Sequence, residues 1–176
     1  MAGDLVHRRA CGRQPARAGG GKPGRERGIA GNRITDFSYV GIQLTGGNAS
    51  DTGSTASENS LSDILITGNR IEQVVQPGQG CGIQILGASG GAMAAQGNSV
   101  TGIDLTFNEI IRTSTGVEVL GGTGAGSQGN TARVLCPAGN RLTDVAIPWD
   151  VRNDAAGASG NLAQVTRCGF LPLLLR

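Results

Sequence analysis

Acid–base or metal chemistry in this chain has few places to come from. The 176 residues include one histidine, His7, and thirteen carboxylates. Proton transfer in the body of the chain therefore falls to Asp and Glu. The four cysteines, Cys11, Cys81, Cys136 and Cys168, form no Cys-x-x-Cys pair, and no histidine accompanies them in the body of the chain. That excludes zinc at its usual spacing. Cys136 and Cys168 can bridge in an oxidising compartment, although spacing alone does not establish the geometry. Glycine-rich runs such as Gly121-Gly122-Thr123-Gly124 precede neither a helix nor Lys-Ser/Thr, so they are not phosphate loops. The carboxylates to weigh are Glu118 and Asp150, and after them Asp104. Their value depends on what the fold brings beside them.

The elements that must position them announce themselves as a repeat. Gly31-Asn32-Arg33-Ile34 returns as Gly68-Asn69-Arg70-Ile71, Phe107-Asn108-Glu109-Ile110 and Gly139-Asn140-Arg141-Leu142, with the asparagines 37, 39 and 32 residues apart. Each is followed by a second motif: Gly41-Ile42-Gln43-Leu44, Gly82-Ile83-Gln84-Ile85, Gly116-Val117-Glu118-Val119 and, more loosely, Pro148-Trp149-Asp150-Val151. Within each unit the apolar period is two, as in Ile64 and Ile66 or Ile103 and Leu105, which predicts strands and not helices. Glycine and asparagine punctuate the strand ends, where a sharp bend needs positive φ or a side chain that bonds its own backbone. Short strands with corners, repeated in one direction, wind into a solenoid.

Aligned residues then stack as columns. Ile34, Ile71, Ile110 and Leu142 form one interior column, with Ile42, Ile83, Val117 and Trp149 in a second and Leu44, Ile85, Val119 and Val151 in a third. Cys81 aligns with Val40 and shares parity with Ile83, which makes it an inert core thiol. Asn32, Asn69, Asn108 and Asn140 stack as an amide ladder at one corner. Outward on the second-motif strand stand Gln43, Gln84, Glu118 and Asp150. Glu118 and Asp150 become rung neighbours, close enough to raise one carboxyl pKa or to share a cation. Such a pair can serve acid–base chemistry on a glycoside; a solvated polar ladder is the plainer reading of the same column. The outward column of the first strand reads Gly28, Leu65, Asp104, Leu135, and its single carboxylate is too few for calcium. No metal or cofactor is expected. Residues 45–62, 86–102 and 120–132, rich in Gly, Ser, Thr, Ala and Asn, read as long loops leaving one corner.

Composition divides the chain. Residues 1–28 hold seven basic side chains against two acidic ones, net +5, while the rest holds eight arginines against eleven carboxylates, net −3. The Gly/Ala/Arg/Pro-rich head has no aromatics to stack on bases, so it reads as a disordered basic head and no nucleic-acid partner is expected. It lacks the apolar stretch of a signal peptide. No apolar run approaches the ~18 residues of a membrane span. The expected organisation is a head over 1–28, a solenoid over 29–161 and an apolar tail over 162–176 that can fold over the last rung.

The pattern of a short apolar strand, Gly-Asn-x-Ile, a spacer and Gly-Ile-x-Leu, repeated over residues 29–152, resembles the right-handed parallel β-helix repeat of the pectate-lyase superfamily. The resemblance implies an all-β, right-handed parallel β-helix of about four rungs, outside the cell or on its surface. It also implies an acidic polysaccharide as partner, cut, epimerised or bound; other members are tailspikes or adhesins. The superfamily's Asn-Thr-Asp, Asp-Asp, Gly-His-Gly and Asp-Pro-His catalytic motifs are missing here. Two functions remain open. One is binding or lyase/hydrolase-like processing of acidic polysaccharide. The other is a non-catalytic structural or adhesive solenoid segment, with further rungs in a longer surface protein.

Overall fold

The computed structural model describes residues 27–49, 54–91 and 93–166. Among these the alternating segments are all strands, and no helix occurs. The first turn of the coil contains β1 (Arg27–Ala30), β2 (Arg33–Thr35), β3 (Val40–Ala49) and β4 (Ala56–Ser57). The same order returns in β5 (Ser60–Thr67), β6 (Arg70–Glu72), β7 (Cys81–Gly90) and β8 (Ala95–Gln96), then in β9 (Ser99–Thr106), β10 (Glu109–Ile111), β11 (Thr115–Thr123) and β12 (Ser127–Gln128). Three strands of a fourth turn follow, β13 (Thr131–Ala138), β14 (Arg141–Thr143) and β15 (Ile147–Ala155), and then β16 (Leu162–Val165). Strands pair only with their counterparts one turn away, always in parallel, in sheets ordered β1-β5-β9-β13-β16, β2-β6-β10-β14, β3-β7-β11-β15 and β4-β8-β12. The fold is a parallel β-helix.

Register places the expected columns as read. Ile34, Ile71, Ile110 and Leu142 pair in sequence across the second sheet. Ile42, Ile83, Val117 and Trp149 do so across the third, beside Leu44, Ile85, Val119 and Val151. With Ile64, Ile66, Ile103, Leu105 and Val134 of the first sheet they make the main core, Ile34, Leu142 and Trp149 packing against it half-buried. Val151, expected inside, is exposed instead, since its column has no further rung above it among the described residues. β-Branched side chains suit this packing, since each rests on its own kind one rung away.

Several expectations need correcting. Segments 45–62, 86–102 and 120–132 are not loops thrown off one corner. Their described residues are the second halves of β3, β7 and β11, the fourth sheet, and the start of the next turn. Their small residues have a steric reason. Ala49, Ala56, Ala88 and Ala95 fill a narrow second compartment. At Gly87, where the coil pinches, an added Cβ would lie 2.2 Å from the Gly121 carbonyl oxygen. The first strand begins at Arg27, inside the segment read as head, and Leu162–Val165 is a strand of the first sheet and not part of a tail. Residues 1–26 and 167–176 lie outside the described residues.

The asparagine ladder at residues 32, 69, 108 and 140 is present. In each step the backbone N–H and the side-chain Nδ2 of one asparagine donate to the Oδ1 of the next, at 2.9–3.1 Å. The remaining Nδ2 proton of Asn69 and of Asn108, and one Nδ2 proton of Asn140, go to a backbone carbonyl of an earlier turn. A second ladder, unforeseen, joins Asn59, Asn98, Asn130 and Asn161 in the same manner. Its signal was legible as Gly97-Asn98, Gly129-Asn130 and Gly160-Asn161, a second Gly-Asn set inside segments taken for loops.

Each interior asparagine satisfies donors and acceptors that water cannot reach, so truncation strands several of them. Asn98→Ala is expected to cost more than about 2 kcal/mol, whereas Asn32→Ala, at the exposed end of the first ladder, costs less than about 1 kcal/mol. Urea denaturation of both variants checks the gradient. Equal losses would mean that the ladders add little beyond the strands.

Candidate functional site

The outer face of the third sheet carries the predicted polar column, and its register is as expected: Gln43 beside Gln84, Gln84 beside Glu118, Glu118 beside Asp150. The two carboxylates are rung neighbours. They do not confront each other bare, because Arg152 follows Asp150 by two residues and so shares its face. Arg152 Nη2 lies 3.0 Å from Glu118 Oε1 and 2.8 Å from Asp150 Oδ2, and its Nε donates to Asp150 Oδ1 at 3.0 Å. Gln84 Nε2 donates to the other oxygen of Glu118, and Gln43 Nε2 donates to Gln84. The shared cation anticipated for this pair is thus a side chain of the chain itself. Parity alone, Asp150-Val151-Arg152, could have revealed it.

Asp104 sits on the outer face of the first sheet, in an open depression of about 240 Å³ lined by Arg27, Asp63, Leu65, Gly102 and Leu135 among others. Its neighbours differ from the expected column. Leu65 pairs with Asp104, but Asp104 pairs with Cys136 and not Leu135, because β13 is irregular between Val134 and Cys136. The extra residue, Leu135, is pushed into solvent. Asp63 and Gly102 are side by side at an earlier bulge with φ of 57° and 67°. Only glycine suits the second place, since a Cβ there would lie 2.8 Å from Asp63 Oδ1. The bulge therefore adds Asp63, itself bonded by Ser62 Oγ at 2.9 Å, to the surroundings of Asp104. Among the described residues no three His, Cys, Asp or Glu side chains converge as metal ligands.

The second sheet bears the most extensive charge network, which sequence reading missed. Down its outer column stand Arg33, Arg70, Glu109 and Arg141. Arg70 bonds Glu109 and lies 3.0 Å from Glu72, Arg112 closes on the other oxygen of Glu72, and Arg141 reaches Glu109 at 3.4 Å. Arg33 makes no ion pair among the described residues. Burial alone would push the Glu72 carboxyl up; the hydrogen bonds and charges of Arg70 and Arg112 outweigh it and hold it below the ordinary value. Arg70, bonded to Glu109, is raised. Two aromatic rings flank this sheet in the open, Tyr39 and Phe107, 82% and 70% exposed.

The thiols separate cleanly. Cys81 is free and buried, its Sγ–H donating to the Ile83 carbonyl at 3.2 Å. Burial, and after it the charge of Glu118, pushes its pKa up to about 12, so it is no nucleophile at neutral pH. Cys136 is disulfide-bonded, and Cys168, its expected partner, lies outside the described residues.

No family model, curated protein or solved structure matches this chain.

Because its folded-state pKa is depressed, Glu72 contributes stability that is fully present above the ordinary carboxyl range and lost as the pH falls through the lowered value. Glu72→Gln is therefore expected to melt below wild type at about pH 7, with the gap closing by about pH 2. Thermal melts across that range check it, and a gap that is constant with pH would refute it.

Proposed function

We propose that this chain is a non-catalytic β-helical segment of an extracellular or cell-surface protein, structural or adhesive in role. One observation carries the reading. All four oxygens of the stacked carboxylate pair are already engaged, Glu118 by Gln84 and Arg152 and Asp150 by Arg152 twice. Glycoside cleavage needs one carboxyl free to deliver a proton and another free to attack or to activate water. Neither is free here. The disulfide at Cys136 supports an oxidising compartment.

A second reading, non-covalent binding of acidic polysaccharide as the pectate-lyase resemblance implies, has one observation in its favour. The second sheet's outer face sets Arg33, Arg70, Arg112 and Arg141 against only Glu72 and Glu109. Exposed Tyr39 and Phe107 beside it offer rings on which sugars can stack.

One set of experiments separates the readings. Incubation of the purified chain with pectins and alginates, with and without calcium, is expected to release no new sugar ends. Glu118→Gln should change stability by less than about 1 kcal/mol, since Arg152 keeps Asp150 and there is no bare repulsion to relieve. Cleavage that vanishes in Glu118→Gln would overturn the non-catalytic reading. Retention on immobilised polygalacturonate that weakens with salt and in Arg33→Ala would favour the binding face.

A further inference from the structure

The two asparagine ladders do not end alike at their last rung. At the first corner, Asn140 supplies Oδ1 to Asn108 and donates one Nδ2 proton to Leu105. Its backbone N–H and second amide proton meet no acceptor among the described residues. At the second corner the last asparagine, Asn161, has its donors taken. Its backbone N–H and Nδ2 both donate to Asp154 Oδ1, at 3.0 and 2.6 Å. One rung below, the same two groups of Asn130 donate to Asn161 Oδ1 at 2.9 and 2.8 Å. Asp154 Oδ1 thus stands where the amide oxygen of a further ladder asparagine would stand. Beside it, Asn153 Oδ1 accepts the backbone N–H of Ala163 at 2.9 Å, occupying a donor of β16 that a further strand would need.

The column to which Asp154 belongs shows that it takes the space as well as the bonds. In register it reads Gly47, Ala88, Gly122, Asp154. At Gly122 an added Cβ would lie 2.2 Å from Ser127 Oγ and 2.6 Å from Cγ of Asn161, the asparagine of the rung above, and the largest side chain that the column holds before Asp154 is the methyl group of Ala88. A side chain as large as aspartate fits this column only where no ladder asparagine lies above it. Conversely, once Asp154 is in place, an arriving asparagine has neither donors to meet nor room to enter.

We propose that Asp154 is the terminator of the second ladder, and that it keeps a second copy of this chain from adding head to tail. The danger it answers is real for this fold. Among the described residues the opposite end presents Asn32 and Asn59, whose Oδ1 atoms accept nothing, next to edges of β1, β2 and β3 that no other described strand pairs. An uncapped last rung offers the complementary donors, and a heterologous contact of that kind repeats without closing.

Light scattering on the full chain tests this. Wild type is expected to stay monomeric as concentration rises, while Asp154→Gly, which restores the glycine of the preceding rung, forms concentration-dependent head-to-tail assemblies. Adding Asn59→Ala, which removes the receiving oxygen, should return Asp154→Gly to monomer. An Asp154→Gly protein that folds and remains monomeric overturns the proposal, as does assembly indifferent to Asn59→Ala or a wild type that itself assembles through Asn59. If Asp154→Gly fails to fold, Asp154→Ala takes its place, since it removes the oxygen that holds Asn161 and leaves only the methyl group that Ala88 carries in the same column. Its assembly supports the terminator and its remaining monomeric refutes it.

Discussion

Parallel strands stacked in register at ~4.8 Å impose one demand on this chain: every residue must tolerate its counterpart directly above and below. Isoleucine on isoleucine meets it by filling the core. Asparagine on asparagine meets it because one amide carries both a donor and an acceptor, so the group repeats without limit. Glycine on glycine meets it where the coil pinches. Charge on like charge does not: Arg33 on Arg70 leaves Arg33 without an ion pair among the described residues, whereas at two other places the charges interleave or are bridged. Glu109 sits between Arg70 and Arg141 in one column. Arg152 bridges Glu118 and Asp150 in another.

The corners obey the same demand. Asp36, Arg112 and Asp144, each just past a strand of the second sheet, take positive φ, a conformation that L-residues adopt at some cost. Asp36 puts its carboxylate to use, accepting the N–H groups of Val74 and Val75 from the longer corner one turn on. Gln73 stands at the equivalent corner of that turn and departs from the pattern. Its side chain turns inward, buried, and donates to the Phe37 carbonyl. The extra residues of that turn are thereby absorbed without shifting the strands around them.

Chemistry is scarce for the reason that the fold is regular. A ladder aligns like with like, and catalysis needs unlike groups held close with their capacity unspent. The aligned pair Glu118 and Asp150 has its oxygens spent on Arg152 and Gln84, and Asp104 shares its depression with Asp63 and Arg27. In the column of Gln43, Gln84, Glu118 and Asp150 side-chain bonds run from rung to rung.

Much of this was legible in the sequence. Period-two alternation and the recurring Gly-Asn-x-Ile determine the parallel coil, its apolar columns, the first asparagine ladder, the burial of Cys81 and the adjacency of Glu118 and Asp150, because in a repeat the alignment of the text is the register of the strands. Tertiary structure alone decided the rest. The second ladder was hidden because its flanking residues, chosen small to fit a narrow compartment, look like loop sequence. The Asp104–Cys136 pairing turns on bulges, which shift register by one residue without leaving a periodic mark. The charge network of the second sheet and the closure of the last rung by Asp154 depend on side chains meeting across turns or across a corner. Such meetings follow from where the coil bends and not from which residues align.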